Sequence, residues 1–328
     1  ETCFLIPILL DHQKHCLLLC GTIAGDQHYH EVASDGHYNY DMLKGFLKLS
    51  NGIPPSVTLW RVFGTTGCFG IRKLSSVVWQ DVVAELTDKH ISLDGKQMPG
   101  TGNDSQGNLH VVSAWLNGAG LTLGQQVVDS KAIEAGNEKT AIPELPEQLY
   151  VGGSLVSIDV MDVAHAEKII DEQADYLLAL KANNGFWYET VSDRLTEMEG
   201  CLSDDWHTKV DFGHGRLKRR SCYISDQLQW IDGATEWREL NRIAIVKSEK
   251  ESKGKITLQR RYYLCSVTNA TAQQVLDWSC NHWGVENNLH WVLDVAFGED
   301  PFKVSTGCGP IKLATVCKLA MRIIQEYK

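Results

Sequence analysis

The sequence predicts an α/β fold: a mixed β-sheet flanked by helices, with a helical N-terminal region before it and a β-rich insertion within it. Three observations predict this. Before Lys89 the apolar residues recur at helical spacing. After it, short apolar runs and Gly- or Asn-rich turns alternate with helical stretches. Four strand-like runs then crowd into residues 186–270. The 328 residues, 43% hydrophobic and 22% charged, can bury a sizeable core.

In order, residues 1–88 read as helical, with periodic apolar residues over Leu17 to Ala24, Tyr40 to Leu49 and Leu74 to Leu86, and a loop at NGIPPS. HISLDG, NLHVVSAWLNG and GLTLGQQVV follow as three strands, with NGAG (Asn117 to Gly120) as a hairpin signal. Glu138 to Leu149 is helical, SLVSIDV a buried strand, AHAEKIIDEQ a helix and DYLLALK a second buried strand. The order β-β-β-α-β-α-β over 89–185 matches an RNase H-like core. Residues 186–270 then supply HTKVDFG, LKRRSCYISD, NRIAIVKSEK and KITLQRRYYLCSV as the strands of the insertion, and 271–328 return to helices.

Charge and cysteine usage narrow the function. A net charge of −10 and a pI of about 5.6 exclude a uniformly basic nucleic-acid binder but leave local basic patches open. Ten scattered cysteines without a CxxC pair point to reduced thiols in a cytoplasmic protein. The apolar start is broken by DHQKH and is too short on either side to span a membrane.

The most informative stretch is WSCNHWGVENNLHWVLDVAFGEDPF, Trp278 to Phe302. At helical spacing, Glu286 shares a face with His282 four residues before and His290 four after. A carboxylate beside the apolar Trp283, Leu289, Val292 and Leu293 needs a partner, and a metal ion is a good one. Asp94 and Asp159 lie upstream at the ends of apolar runs. Two Asp from strands and a Glu from a late helix form the ligand set of a two-metal phosphoryl-transfer site. On spacing alone, the favoured reading is three unrelated acids, two in turns and one on a wet helix face. The two histidines fit orientation of Glu286 or DNA contact better than metal ligation, because imidazoles suit zinc more than magnesium. Trp283 and Trp291 can pack in the core or stack on unpaired bases. HGRLKRR, with His214, Arg216, Lys218, Arg219 and Arg220, is the densest basic run, and a strand there can track a phosphate backbone.

HWGVENNLHWVLDVAFGED, LDGK, SIDVM, DYLLALKANNG and FGHGRLKRR together resemble the H-repeat-associated insertion-sequence transposases, a branch of the DDE superfamily with an RNase H-like core. The similarity runs in order from about Leu5 to Gln325. It implies metal-dependent DNA strand cleavage and strand transfer, with Asp94, Asp159 and Glu286 as the catalytic, metal-binding triad and two Mg²⁺ or Mn²⁺ ions as cofactors. Lys96, His214, Arg216, Lys218, Arg219, Arg220, His282, Trp283, Asn287 and His290 are the candidates for DNA contact, with an exposed turn lysine equally open for Lys96 and a solvated strand face the alternative for the basic run. The partners the resemblance implies are double-stranded DNA with terminal inverted repeats and target DNA. It admits a homodimer, a nucleoid-associated cytoplasmic location, and a truncated N-terminus. Glu299 or Asp300 is an alternative third ligand.

The chain departs from that family's pattern at several polar positions. Pro99, Cys280 and Cys317 stand where the family carries arginines, as do Lys303 and Ser305, and Lys218 replaces a Glu. Each lost arginine removes a bidentate phosphate contact. Two further readings therefore stand: a decayed or domesticated DNA-binding relic of the same fold, and a metal-dependent nuclease without strand transfer.

Overall fold

A computed structural model describes residues 13–65, 89–102, 108–128, 142, 144–149, 151–159, 162–182, 185–197, 205–213, 216–252, 254–300, 307 and 309–327. The predicted helix at Leu74 to Leu86, His214, Lys303 and Ser305 lie outside these residues.

The N-terminal region is helical where described: α1 (Gln13–Ala24), α2 (Tyr29–Tyr38), a single turn α3 (Tyr40–Leu43) and α4 (Ser56–Thr65). Their apolar faces, including Leu17, Val32, Leu59 and Phe63, are buried in the main core. Then come β1 (His90–Met98), β2 (Leu109–Leu116), β3 (Leu121–Val127), α5 (Glu144–Gln148), β4 (Leu155–Ile158), α6 (Val163–Asp171) and β5 (Asp175–Leu180). The Asn117–Gly120 turn joins β2 to β3, with Gly118 at φ 81° and Gly120 at φ 65°, a conformation that only glycine adopts without strain. Asp162 starts α6 by accepting from the Ala164 N–H at 3.1 Å.

Residues 186–270 open with a helix, α7 (Gly185–Glu197), before turning to β6 (Trp206–Gly213), β7 (Arg216–Ser225), β8 (Arg242–Ser252) and β9 (Lys255–Cys265). These four strands do not form a separate sheet. β9 pairs with β5, so one nine-stranded sheet runs in the order β3-β2-β1-β4-β5-β9-β8-β7-β6. The β1, β4 and β5 strands are parallel to one another and every other pairing is antiparallel, the mixed sheet of an RNase H-like core with β strands added to one edge.

Three helical elements close the chain: α8 (Ala272–His282), a π-helical turn (Val285–His290) running into α9 (Trp291–Phe297), and α10 (Gly309–Glu326). A Thr271/Gln274 capping box starts α8, whose Val275 and Leu276 pack on Cys222, Ala244 and Tyr263 of the sheet. Most of α10 is buried. Its Lys312 donates to the Phe63 carbonyl at 3.0 Å, satisfying an end of α4. Its Lys318 donates to Ser113 Oγ at 2.9 Å and Gln125 Oε1 at 2.5 Å, and burial pushes its pKa down to about 8.

Candidate active site

The site grows from the alternation of β1. Ile91 and Leu93 point into the main core, while His90, Ser92, Asp94 and Lys96 occupy the opposite face. On β4, Ser157 shares a face with Asp159, the first residue beyond the strand. β1 and β4 are parallel with Leu93 opposite Ile158, so Asp94 and Asp159 follow side by side on chains about 4.8 Å apart. The end of α8, with His282, and the π turn, with Glu286 and His290, cover this face.

Each carboxylate has an imidazole nearby. His290 Nδ1 lies 3.4 Å from Asp94 Oδ2, and His282 Nε2 lies 3.9 Å from Asp159 Oδ1. Lys181 Nζ sits 3.1 Å from Asp159 Oδ2. Burial works to raise the Asp94 pKa, but the His290 hydrogen bond and the His290 and His282 charges outweigh it and hold the group below its ordinary value. Glu286 behaves oppositely. Burial and the charges of Asp94 and Asp159 push its carboxyl up, against the smaller pull of His290 and Arg261. Glu286 therefore senses both aspartates, although it is exposed at the rim while His282 and His290 turn inward. The spacing had predicted an ordinary α-helix here. A backbone bond from Trp291 to the Glu286 carbonyl closes a five-residue step instead, and such π turns recur at functional sites. Among the described residues, no group of three or more His, Cys, Asp or Glu side chains is drawn together tightly enough, as it stands, to hold an ion.

Beside Glu286 opens a cleft of about 320 Å³ lined by cations of the added strands: Lys218 and Arg220 on β7 and Arg261 on β9, with Trp283, Cys280 and Asn287 opposite. The Arg261 guanidinium lies 4.1 Å from the Trp283 ring centroid, a cation–π contact. Asn287 Nδ2 donates to the Trp283 carbonyl at 2.8 Å. Strand alternation splits the basic run. Lys218 and Arg220 face the cleft, whereas Arg219 points to the other face, where it pairs with Glu249 at 3.9 Å. Arg220 is also paired with Asp211.

Lys96 is held by acids of the α9 end. Its ammonium contacts Asp294, Glu299 at 2.9 Å and Asp300 at 3.2 Å, and is only 13% exposed. Glu299 and Asp300 are thus engaged by Lys96. Lys181 went unnoticed in the sequence. It sits just past the end of β5, and only the β4–β5 pairing brings it to Asp159.

Comparison with known proteins adds the ancestry. Residues 85–307 match the family described as the Transposase DDE domain. The chain belongs to the DDE transposase family. It is 31% identical over 323 residues to the protein named "Putative transposase YncI" of Escherichia coli O157:H7, covering 95% of this chain and 81% of that one. It is 30% identical over 328 residues to "H repeat-associated putative transposase YhhI" of Escherichia coli strain K12, covering 95% of this chain and 84% of the relative. A piggyBac transposase synaptic complex with hairpin DNA aligns over 96% of this chain and 66% of its own at 10% identity, with a TM-score of 0.40. No helix among the described residues is long and apolar enough to cross a membrane.

Proposed function

We propose that this DDE-family chain is a DNA transposase that cuts and joins strands at Asp94, Asp159 and Glu286 with two Mg²⁺ or Mn²⁺ ions. The observation that carries this is the placement of Asp94 and Asp159 side by side at the ends of parallel strands; the Glu286 carboxyl, pushed up by burial and then by the charges of both aspartates, agrees with it. The donor set suits such ions: carboxylate oxygens are hard ligands, and like charges facing one gap call for a cation between them. Bound there, the ions would activate a water or 3′-hydroxyl and stabilise the leaving oxygen.

The rest of the work falls to side chains. His290 and His282 hold the orientation of Asp94 and Asp159, and Lys181 balances the charge of Asp159. Glu286 closes inward from the rim. Lys218, Arg220 and Arg261 bind backbone phosphates of the strand entering beside Glu286, and Arg219 reaches phosphate on the far face. The substrate is double-stranded DNA with terminal inverted repeats, joined to target DNA, at the nucleoid in the cytoplasm.

A second reading, a decayed relic that binds DNA without cutting it, is favoured by Cys280. It lines the cleft among three cations, where family members carry another arginine. End-labelled DNA carrying the flanking inverted repeats, incubated with Mg²⁺, separates the readings. Nicks at the element end plus strand-joined product support transposition. Nicks alone indicate a nuclease. Binding without cleavage indicates the relic, and cleavage regained by Cys280→Arg then identifies a lesion in a sound core.

A further inference from the structure

Beneath the carboxylates a buried chain of polar side chains leads from His282 through Ser157 to His90, Ser92 and Asn117. Ser157 Oγ lies 2.8 Å from His90 Nε2, 2.8 Å from His282 Nδ1 and 3.2 Å from Ser92 Oγ. Asn117 Nδ2 donates to Ser92 Oγ at 2.7 Å and to the His90 carbonyl at 3.2 Å. Ser92 and Ser157 are at most 2% exposed, and His90 and His282 are 7% and 8% exposed. Polar atoms this deep are costly unless paired, so the network is worth a function.

The count of protons gives the chain a direction. Ser157 has one hydroxyl proton and three neighbours. Asn117 fills one lone pair of Ser92; if Ser157 donated to the other, both imidazoles would have to donate to Ser157 and a neutral His282 would turn a bare Nε2 to the Asp159 carboxylate, so the Ser92 proton is assigned to the contact with Ser157. Ser157 can then donate to only one imidazole. If it donated to His90, a neutral His282 ring would have to donate from Nδ1, and its bare Nε2 lone pair would face the Asp159 carboxylate. If it donates to His282 Nδ1, His90 donates from Nε2 and the His282 Nε2–H points at Asp159. The second arrangement is attractive at the carboxylate and the first is repulsive. It also leaves a bare lone pair, and not an N–H, at His90 Nδ1, which is buried without a hydrogen-bond partner. Burial drops the His90 pKa to about 3, so that ring stays neutral across working pH.

We propose that His90 and Ser157 are positioning residues that fix the His282 imidazole with its Nε2–H toward Asp159, so that this carboxylate is presented to the divalent ions in one orientation. At 3.9 Å the contact exceeds a hydrogen bond, so it acts as an oriented dipole on the carboxylate. This rests on the metal site proposed above. Outer partners that orient a ligand typically change metal affinity by about 10–100-fold when removed.

The test is Mn²⁺ titration of the metal-free protein by isothermal calorimetry, together with ¹⁵N NMR of the histidine rings. In wild type, the His282 ring should show the Nε2–H tautomer before any metal is added. Ser157→Ala and His90→Phe should weaken Mn²⁺ binding by about 10-fold or more while retaining the wild-type circular dichroism. Ser157→Thr, which keeps the hydroxyl, should restore it. Loss of Mn²⁺ binding in Asp94→Asn with unchanged binding in Ser157→Ala and His90→Phe overturns the relay but leaves the metal site standing. If wild type binds no Mn²⁺, the metal reading itself fails, and the NMR still decides the relay: an Nδ1–H tautomer at His282 overturns it. That measurement on wild type also decides the matter should the variants fail to fold.

Discussion

The guanidinium of Arg261 lies 4.1 Å from the ring centroid of Trp283, three residues before Glu286. The ring holds a cation from β9 against the helix that carries the carboxylate, at the mouth of the basic cleft. If Arg261 contacts phosphate, Arg261→Ala should weaken binding to all DNA sequences alike and reduce the log–log salt slope by roughly 1. Trp283→Ala should weaken it less, because the charge remains while its orientation is lost. Fluorescence anisotropy at several salt concentrations reads both effects, and an unchanged slope in Arg261→Ala would remove Arg261 from the DNA path.

Asp94→Ala should abolish metal-dependent cleavage and leave DNA affinity within about 2-fold of wild type, since affinity comes from basic residues elsewhere. Equal cleavage by both proteins would place the activity at another site or in a contaminant.

Glu286 and Asp94 should shift stability with pH in opposite senses. The raised carboxyl of Glu286 costs nothing when protonated in both folded and unfolded chains. Its penalty grows as pH climbs past the ordinary carboxylate value and is complete above the raised one. Glu286→Gln should therefore raise the melting temperature of the metal-free protein at pH 7 and have little effect near pH 4. Asp94, held below its ordinary value, contributes stability that is present at neutral pH and lost as pH falls through its depressed value, so Asp94→Asn should lower the melting temperature at pH 7. Thermal melts from pH 8 down to about pH 2 check both signs, the Glu286 effect appearing above the ordinary carboxylate value and the Asp94 effect fading below it. Loss of stability in Glu286→Gln at pH 7 would mean that Glu286 does not face the aspartates.

Lys96, 13% exposed, pairs with the buried Glu299, 3% exposed. Lys96→Met strands Glu299 among Asp294 and Asp300, and should cost about 3–5 kcal/mol in urea unfolding. Adding Glu299→Gln should recover part of that. A Lys96→Met protein as stable as wild type would show that the end of α9 is not pinned to β1 by this contact.

Much of this was legible in the alternation of HISLDGK. Polar residues at 90, 92, 94 and 96 against apolar ones at 91 and 93 mark a strand with one face in the core and one lining a polar site. The SLVSIDV run likewise placed Asp159 at a strand end. The strands of the insertion were readable, yet their attachment was not, because pairing of β9 with β5 is a long-range choice that no local pattern encodes. The helix Gly185–Glu197 was missed although Trp187, Tyr188, Val191 and Leu195 recur at helical spacing and pack on the core, because the strand-like runs that follow set the reading of the whole 186–270 stretch. The π turn escaped because a single five-residue step leaves the apolar spacing of Val285, Leu289 and Leu293 intact. The His90–Ser157–His282 chain joins residues 67 and 125 positions apart, which only the folded sheet brings together.

The central claim, that Asp94, Asp159 and Glu286 share divalent ions, is tested most directly by anomalous diffraction from crystals grown with Mn²⁺ and inverted-repeat DNA. The account predicts one peak between Asp94 and Asp159 and a second within about 4 Å of it, on the side of Glu286. Peaks lying elsewhere, or none within coordination distance of Asp94 and Asp159 while DNA fills the cleft, would contradict it.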